Sequence, residues 1–318
     1  MGTEHAGLTL LAWLRKQPPN SSWTECRKLV AARRVLVNNV VEIHEARRLK
    51  RDDVVVVGTA GTSPLQPQQI EIVYVDGDIV VVEKPPHVVT TRRPEEQRWP
   101  LAKRQLAPTL DELTAAALAP ASRVPRSNRH GRKPSPTIAP LFRVQRLDRE
   151  TSGLVVFART ADASKRLIEQ FTAHTVERVY FAVVNGRPES QTVSTALVRD
   201  RGDGLRGSSR DGKSGQAAVT HLKRLSSVGP LSLMECRLET GRTHQIRIHL
   251  CEIGAPVCGE PVYRHRIGET AQADDSGAPR LALHAARLGF RHPITGETKA
   301  FVSAWPQDLA TWTAFPTG

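Results

Sequence analysis

Arg146-Leu147-Asp148-Arg149-Glu150-Thr151-Ser152-Gly153-Leu154, continued by Val155-Val156-Phe157-Ala158, is the stretch on which the reading of this chain turns. An aspartate sits between arginines, a Thr-Ser-Gly turn follows, and an apolar run then reads as a buried strand. Neighbouring cations favour the ionised form of a carboxylate. A turn at a strand end would hold that carboxylate where a substrate can reach it, which is how a nucleophilic or basic aspartate is presented. In an arbitrary loop the same residues would more often be a surface ion pair, so the surroundings must decide.

Four further blocks lie outward from this one. Upstream stands Val75-Asp76-Gly77-Asp78-Ile79-Val80-Val81-Val82-Glu83-Lys84-Pro85-Pro86, a strand pair ending in Lys-Pro. Downstream come Tyr180-Phe181-Ala182-Val183-Val184-Asn185-Gly186, then Thr240-Gly241-Arg242-Thr243-His244-Gln245-Ile246-Arg247-Ile248-His249-Leu250, then Leu283-His284-Ala285 with His292-Pro293. Together the five blocks resemble, in order, the motifs of the RluA-type RNA pseudouridine synthases, whose central signature is R-L-D-x-x-T-S-G-L. The resemblance runs over roughly residues 70 to 306.

It implies an α+β fold with a mixed, mainly antiparallel central sheet. Short turns between the strand segments at 179–185, 217–225 and 231–238 favour the same class. It also implies a catalytic set: Asp148 as the essential aspartate, Tyr180 stacked on the uracil and able to handle the C5 proton, and Arg247 ion-paired to Asp148. A guanidinium suits that pairing because it can grip a carboxylate with two donors. Arg146 would fill the space left by a flipped nucleotide or hold its flipped backbone. Arg242, His244 and Gln245 are further candidates for RNA contact, and Gln245 and His249 share a helix face at i, i+4. The His244–His249 spacing is not that of helical zinc ligands, so both are expected to bond to backbone or RNA. No metal and no cofactor are expected. Two departures stand out: Gln145 occupies a position commonly held by histidine, and His87 one often held by glycine. Glutamine keeps a hydrogen bond there but cannot titrate.

A formal charge of +13 points to a polyanionic partner. No basic amphipathic helix with exposed aromatics is evident, so RNA is preferred to a membrane. No apolar run approaches the ~20 residues of a membrane span, and no signal peptide is recognised. Cys26, Cys236, Cys251 and Cys258 form no C-x-x-C pair, so a reduced, cytoplasmic setting is expected.

Residues 1–58 read as a separate unit of two short helices and a hairpin, with a closing strand at 53–57. This unit resembles an S4 RNA-binding domain and its G-x-V-x-V-N-G signature, with Arg34 and Asn39 read as occupying the glycine positions. Arg33, Arg34, Arg47, Arg48 and Arg51 would form its phosphate-contacting face. Residues 59–69 read as a linker and 70–318 as the catalytic domain, with a basic, Pro-rich loop at 123–136. The function implied is isomerisation of uridine in structured RNA, ribosomal ahead of transfer RNA, by a monomer. A silent RNA-binding or ribosome-assembly protein with the same fold is the alternative. A nuclease is disfavoured because its metals need clustered carboxylates.

Overall fold

Thr9 and Ser22 open the first two helices by accepting backbone amides that would otherwise go unpaired. The Thr9 hydroxyl takes Ala12 N at 3.2 Å, starting α1 (Leu10–Lys16). Ser22 and Glu25 exchange bonds of 3.2 and 2.6 Å in a capping box that starts α2 (Trp23–Ala31). Strands β1 (Val35–Val37), β2 (Val40–Val41) and β3 (Val55–Val57) form an antiparallel sheet in the order β2-β1-β3. Leu10, Leu14, Cys26, Val30, Val35 and Val37 fill the core beneath them.

This description comes from a computed structural model and covers residues 7–18, 21–38, 40–49, 53–119, 141–270 and 273–310. The expected loop at 123–136, together with Arg51 and Asn39, lies outside those residues. Among the described non-glycine residues of the first unit, Arg33 (φ 56°) and Asn38 (φ 53°) are left-handed. Counted back from Val35, the first glycine position therefore falls on Arg33 and not on Arg34.

The first compact unit comprises Met1–Gln69 together with Arg92–Thr109, and the second comprises the rest. The sequence reading gave 92–109 to the catalytic domain. Instead, Trp99, Leu106 and Ala107 pack on the first unit's core, the last two at the end of α3 (Leu101–Leu106). Apolar residues spaced along a basic segment do not announce which core they join.

The second unit is built on one sheet. Its members are β4 (Glu71–Val75), β5 (Ile79–Lys84), β6 (Phe142–Arg143), β7 (Ser152–Ala158), β8 (Glu177–Asn185), β9 (Gln191–Val198), β10 (Gly207–Ser208), β11 (Gln216–Val228), β12 (Leu231–Leu238), β13 (Leu283–Arg291) and β14 (Thr298–Val302). The order is β10-β9-β11-β12-β8-β13-β7-β5-β4, with β14 added to β13 and β6 to β7. Among the described pairs only β13–β7 is parallel, so the sheet is mixed and mainly antiparallel, as an α+β reading requires. Strand β7 is buried along its whole length, which is why its sequence is continuously apolar instead of alternating. Gly153 (φ 115°) makes the parallel neighbour possible, since a Cβ there would sit 2.3 Å from the Ala285 carbonyl oxygen.

Helix α4 (Leu110–Leu118) follows the excursion into the first unit. Helix α5 (Ala161–Thr172), capped by Thr160, lays Ala163 and Leu167 on Ile79, Val81, Leu154 and Val156. Helix α6 (Gln245–Glu252) sets Ile248 and Cys251 against Leu197 and Ala218. A short α7 (Gln307–Ala310) ends the described chain.

Candidate active site

The loop between β6 and β7 carries Asp148 and is fastened from the Lys-Pro end of β5. Thr90 bonds both the amide and the carbonyl of Leu147, at 3.1 and 3.0 Å. Lys84, fully buried, donates to the carbonyls of Pro85 (3.0 Å), Val88 (2.9 Å) and Arg149 (3.1 Å). Burial pushes the Lys84 ammonium down to about 7, although Glu150 and Asp148 pull the other way. His87, beside this clasp, has φ 66°, the conformation that glycine would adopt without strain. The Lys-Pro block thus holds the aspartate's loop.

Asp148 faces a cavity of about 420 Å³ whose walls include Arg143, Gln145, Arg146, Arg178, Tyr180, Arg242, His244 and Arg247. Asp148, Tyr180 and Arg247 are therefore brought together. Tyr180 comes from β8 and is nearly enclosed; burial raises its phenol to about 12. Arg247 comes from α6 and is 2% exposed. A free surface arginine is excluded there.

The expected Arg247–Asp148 ion pair is present, but among the described residues it is the longest of the carboxylate contacts that Arg247 makes. Nη1 of Arg247 stands 3.8 Å from Asp148 Oδ2 and 3.5 Å from Glu150, both beyond hydrogen-bond range. Its principal partner is Glu260, gripped with two bonds, Nε–Oε2 at 2.7 Å and Nη2–Oε1 at 2.6 Å. Burial would weaken the guanidinium as an acid-base cation, but Glu260 above all, with Asp148 and Glu150, holds it firmly protonated. Glu150 pays for burial as well, yet the charge of Arg247 leaves it below the usual carboxylate range.

His244 opens α6 in a left-handed conformation (φ 61°). Its Nδ1 meets the Tyr263 hydroxyl at 2.6 Å and its Nε2 lies 3.8 Å from Asp148 Oδ1. Burial is the main influence on the ring and lowers its pKa.

Gln245 and His249, expected to meet RNA or backbone, turn the other way. The Gln245 side chain bonds Thr240 Oγ1 (2.7 Å), Arg242 N (3.0 Å), Val219 O (3.0 Å) and Thr220 Oγ1 (2.9 Å). His249 bonds the hydroxyls of Thr220 (2.9 Å) and Thr195 (3.0 Å), and burial drives its ring down to about 4. Both tie α6 to the sheet, so Gln245 is a support of the loop and not an RNA contact.

Arg143, Arg146, Arg178 and Arg242 ring the cavity, and none has a carboxylate partner among the described residues. Arg242 donates to Ala217 O at 2.9 Å and Arg178 to Glu239 O at 2.6 Å. Arg178 was not singled out from sequence, nor were Glu150, Glu260 and Tyr263. A buried arginine demands acids, but nothing in the sequence says which.

Asp76, Asp78 and His292 could in principle surround a cation. Asp76 already accepts from Asp78 N (2.8 Å), Ile79 N (2.9 Å), the Tyr74 hydroxyl (2.8 Å) and His292 Nε2 (2.9 Å). These bonds serve the β4–β5 turn.

Residues 78–252 match the family described as RNA pseudouridylate synthase. Ribosomal large subunit pseudouridine synthase D of Neisseria meningitidis serogroup B is 35% identical over 315 residues, covering 96% of this chain and 78% of the relative. In the serogroup A counterpart the match is 38% identical and covers 77% of this chain and 60% of the relative. An uncharacterized RNA pseudouridine synthase of Synechocystis is 32% identical over 94% of this chain and 86% of its own length. The solved structure of human RNA pseudouridylate synthase domain containing 1 shares the fold, with a TM-score of 0.56 and 23% identity over 80% of this chain and 90% of its own.

Proposed function

We propose how the cavity works from one premise: the chain belongs to the RNA pseudouridine synthase family and is a pseudouridine synthase. The reaction breaks the bond between uracil N1 and ribose C1′, turns the base, and joins C5 to C1′. The C5 proton leaves and N1 gains one, so the product is an isomer of the substrate.

Asp148 is the group that acts on the uridine, whether its carboxylate adds to the ribose carbon or to the base. The observation that carries this is its place: a carboxylate at the cavity wall, with His244 and Arg247 each 3.8 Å from one of its oxygens. Distances of this kind close when substrate expels water. Tyr180 packs on the uracil face, and burial keeps its phenol protonated, which favours stacking over service as a base. Arg146, exposed at the rim, fills the gap left by the flipped nucleotide and offsets the few kcal/mol of unstacking. Arg242 and the other rim arginines hold phosphates.

The substrate is structured RNA, with large-subunit ribosomal RNA first, because relatives matched over most of the chain carry that name. The first unit is an S4-like anchor for the same RNA; its helix-helix-strand order and basic side chains support this. The enzyme is read as a cytoplasmic monomer; its four free, buried cysteines fit a reducing compartment. Among the described residues no helix is long and apolar enough to cross a membrane.

Asp148→Asn keeps the shape and removes the charge. Single-turnover pseudouridine formation should fall by roughly a thousandfold or more while RNA affinity holds. A variant that still turns over normally would end the assignment. Mapping pseudouridines in RNA from cells with and without the protein identifies the substrate.

A further inference from the structure

The loop that follows α6 carries two side chains that act on the site from behind. Glu260 is 3% exposed, and its Oε1 accepts from Val262 N (2.8 Å) and Tyr263 N (3.2 Å) as well as from Arg247. The acid is thereby fixed to its own loop before it fixes the arginine. Tyr263 is 2% exposed; its ring lies 5.3 Å from the Arg247 guanidinium, and its hydroxyl reaches His244. One short segment therefore controls two donors, and each donor faces a different oxygen of Asp148.

The direction of the Tyr263–His244 bond follows from counting donors. A buried hydroxyl must place its proton on an acceptor. Among the described residues, His244 Nδ1 at 2.6 Å is the only partner the Tyr263 hydroxyl has. Burial raises the Tyr263 phenol, so the proton is there to give. Nδ1 must then be the acceptor, and a neutral ring keeps its single proton on Nε2. Nε2 is the ring nitrogen on the Asp148 side, 3.8 Å from Oδ1.

We propose that Tyr263 is a positioning residue that locks His244 in its Nε2–H tautomer, so that a neutral donor holds the Asp148 carboxylate in line for the uridine. The assignment of a role in catalysis rests on the pseudouridine synthase reading; the tautomer does not. A neutral imidazole suits the task. Once the 3.8 Å gap closes on substrate binding it orients the carboxylate through a hydrogen bond, whereas an imidazolium could hand over its proton and quench the nucleophile. The charged groups facing the ring are Asp148 and Glu150 from the loop before β7, Arg247 from α6, and Glu260.

Nitrogen-15 spectra of the full chain labelled at histidine read the tautomer directly, with His244→Gln identifying the signal. The expected result is a bare Nδ1 and a protonated Nε2 near neutral pH. A proton on Nδ1 in the unmodified protein overturns the proposal without reference to activity. Tyr263→Phe keeps the ring against Arg247 and removes only the hydroxyl, so the tautomers should mix. Single-turnover rate at saturating RNA should then drop about three- to tenfold, the worth of one hydrogen bond, with affinity unchanged. An unaltered rate, or an unaltered His244 spectrum, refutes the positioning role. If the unmodified protein forms no pseudouridine in any RNA, the functional reading fails, and the tautomer is still decided by the spectrum.

Discussion

Arg247 and the arginines at the cavity rim share one space but have opposite electrostatic surroundings. Arg247 is enclosed and shared among Glu260, Glu150 and Asp148. Arg143, Arg146, Arg178 and Arg242 meet carbonyls, a hydroxyl or solvent, and no carboxylate among the described residues. Buried charge persists only when compensated from within, or when a ligand brings the opposite sign. At the floor, the charge of Arg247 is therefore already compensated and serves geometry. The rim is left for an anion, and RNA phosphates supply one. Arg178 makes the point most sharply: it is 9% exposed, its Nε has no hydrogen-bond partner among the described residues, and burial lowers its pKa.

The largest effect should follow from breaking the floor. Arg247→Met leaves Glu260, Glu150 and Asp148 without their common cation. Removing one partner of a buried charge pair costs about 3–5 kcal/mol, and the chemical step should be lost with it. Denaturant unfolding and single-turnover rates measure the two separately. If stability is untouched, Glu260 and Arg247 are not the tight pair that their distances describe.

The rim should respond through binding instead. Arg178→Gln should lower RNA affinity and reduce the slope of log affinity against log salt by about one, with fold stability nearly unchanged. Arg146→Ala should slow reaction on a paired uridine more than on an unpaired one, because only the former must be unstacked. Equal impairment on both would remove Arg146 from the flipping step. A salt slope that stays put in Arg178→Gln would mean its charge never meets a phosphate.

The same contrast explains what could be read from sequence. Asp148 was legible because an ionisable residue sits at the mouth of a continuous apolar run, and burial of β7 along its length accounts for that run. Tyr180 and Arg247 were legible through their motifs. The segment 242–249 was legible as polar, but not as two-sided. Helical spacing places Gln245 and His249 on one face without saying that the neighbour is Thr220 of β11 and not solvent. Glu260 and Tyr263 were out of reach because they lie 13 and 19 residues from the side chains they hold. Only tertiary folding brings them there. The excursion of 92–109 into the first unit escaped for the same reason.

The smallest predicted effect lies in the first unit, where a row of arginines in the sequence was read as one phosphate-binding face. In the fold these side chains part company. Arg47 pairs with Glu42 at 2.8 Å and with Asp53 at 3.4 Å, both acids being nearly buried. Arg33 and Arg34 turn to backbone carbonyls, Arg33 Nε to Thr62 O and Arg34 Nε to Gly58 O, each at 2.7 Å. Arg48 is exposed, and among the described residues its side chain bonds the Gly7 carbonyl, at 2.9 Å. By the rule drawn from the cavity, Arg48 is available to a phosphate and Arg47 is already spent. Arg48→Gln should therefore cut the salt slope by about one phosphate, with a loss of affinity that vanishes at high salt. Arg47→Gln should leave the slope alone and cost stability by about 1 kcal/mol or less, since its ion pairs are partly screened by water. Titrating one RNA at several salt concentrations with both variants separates them. A slope that falls for Arg47→Gln and not for Arg48→Gln would show that internal pairing does not decide which arginines bind RNA.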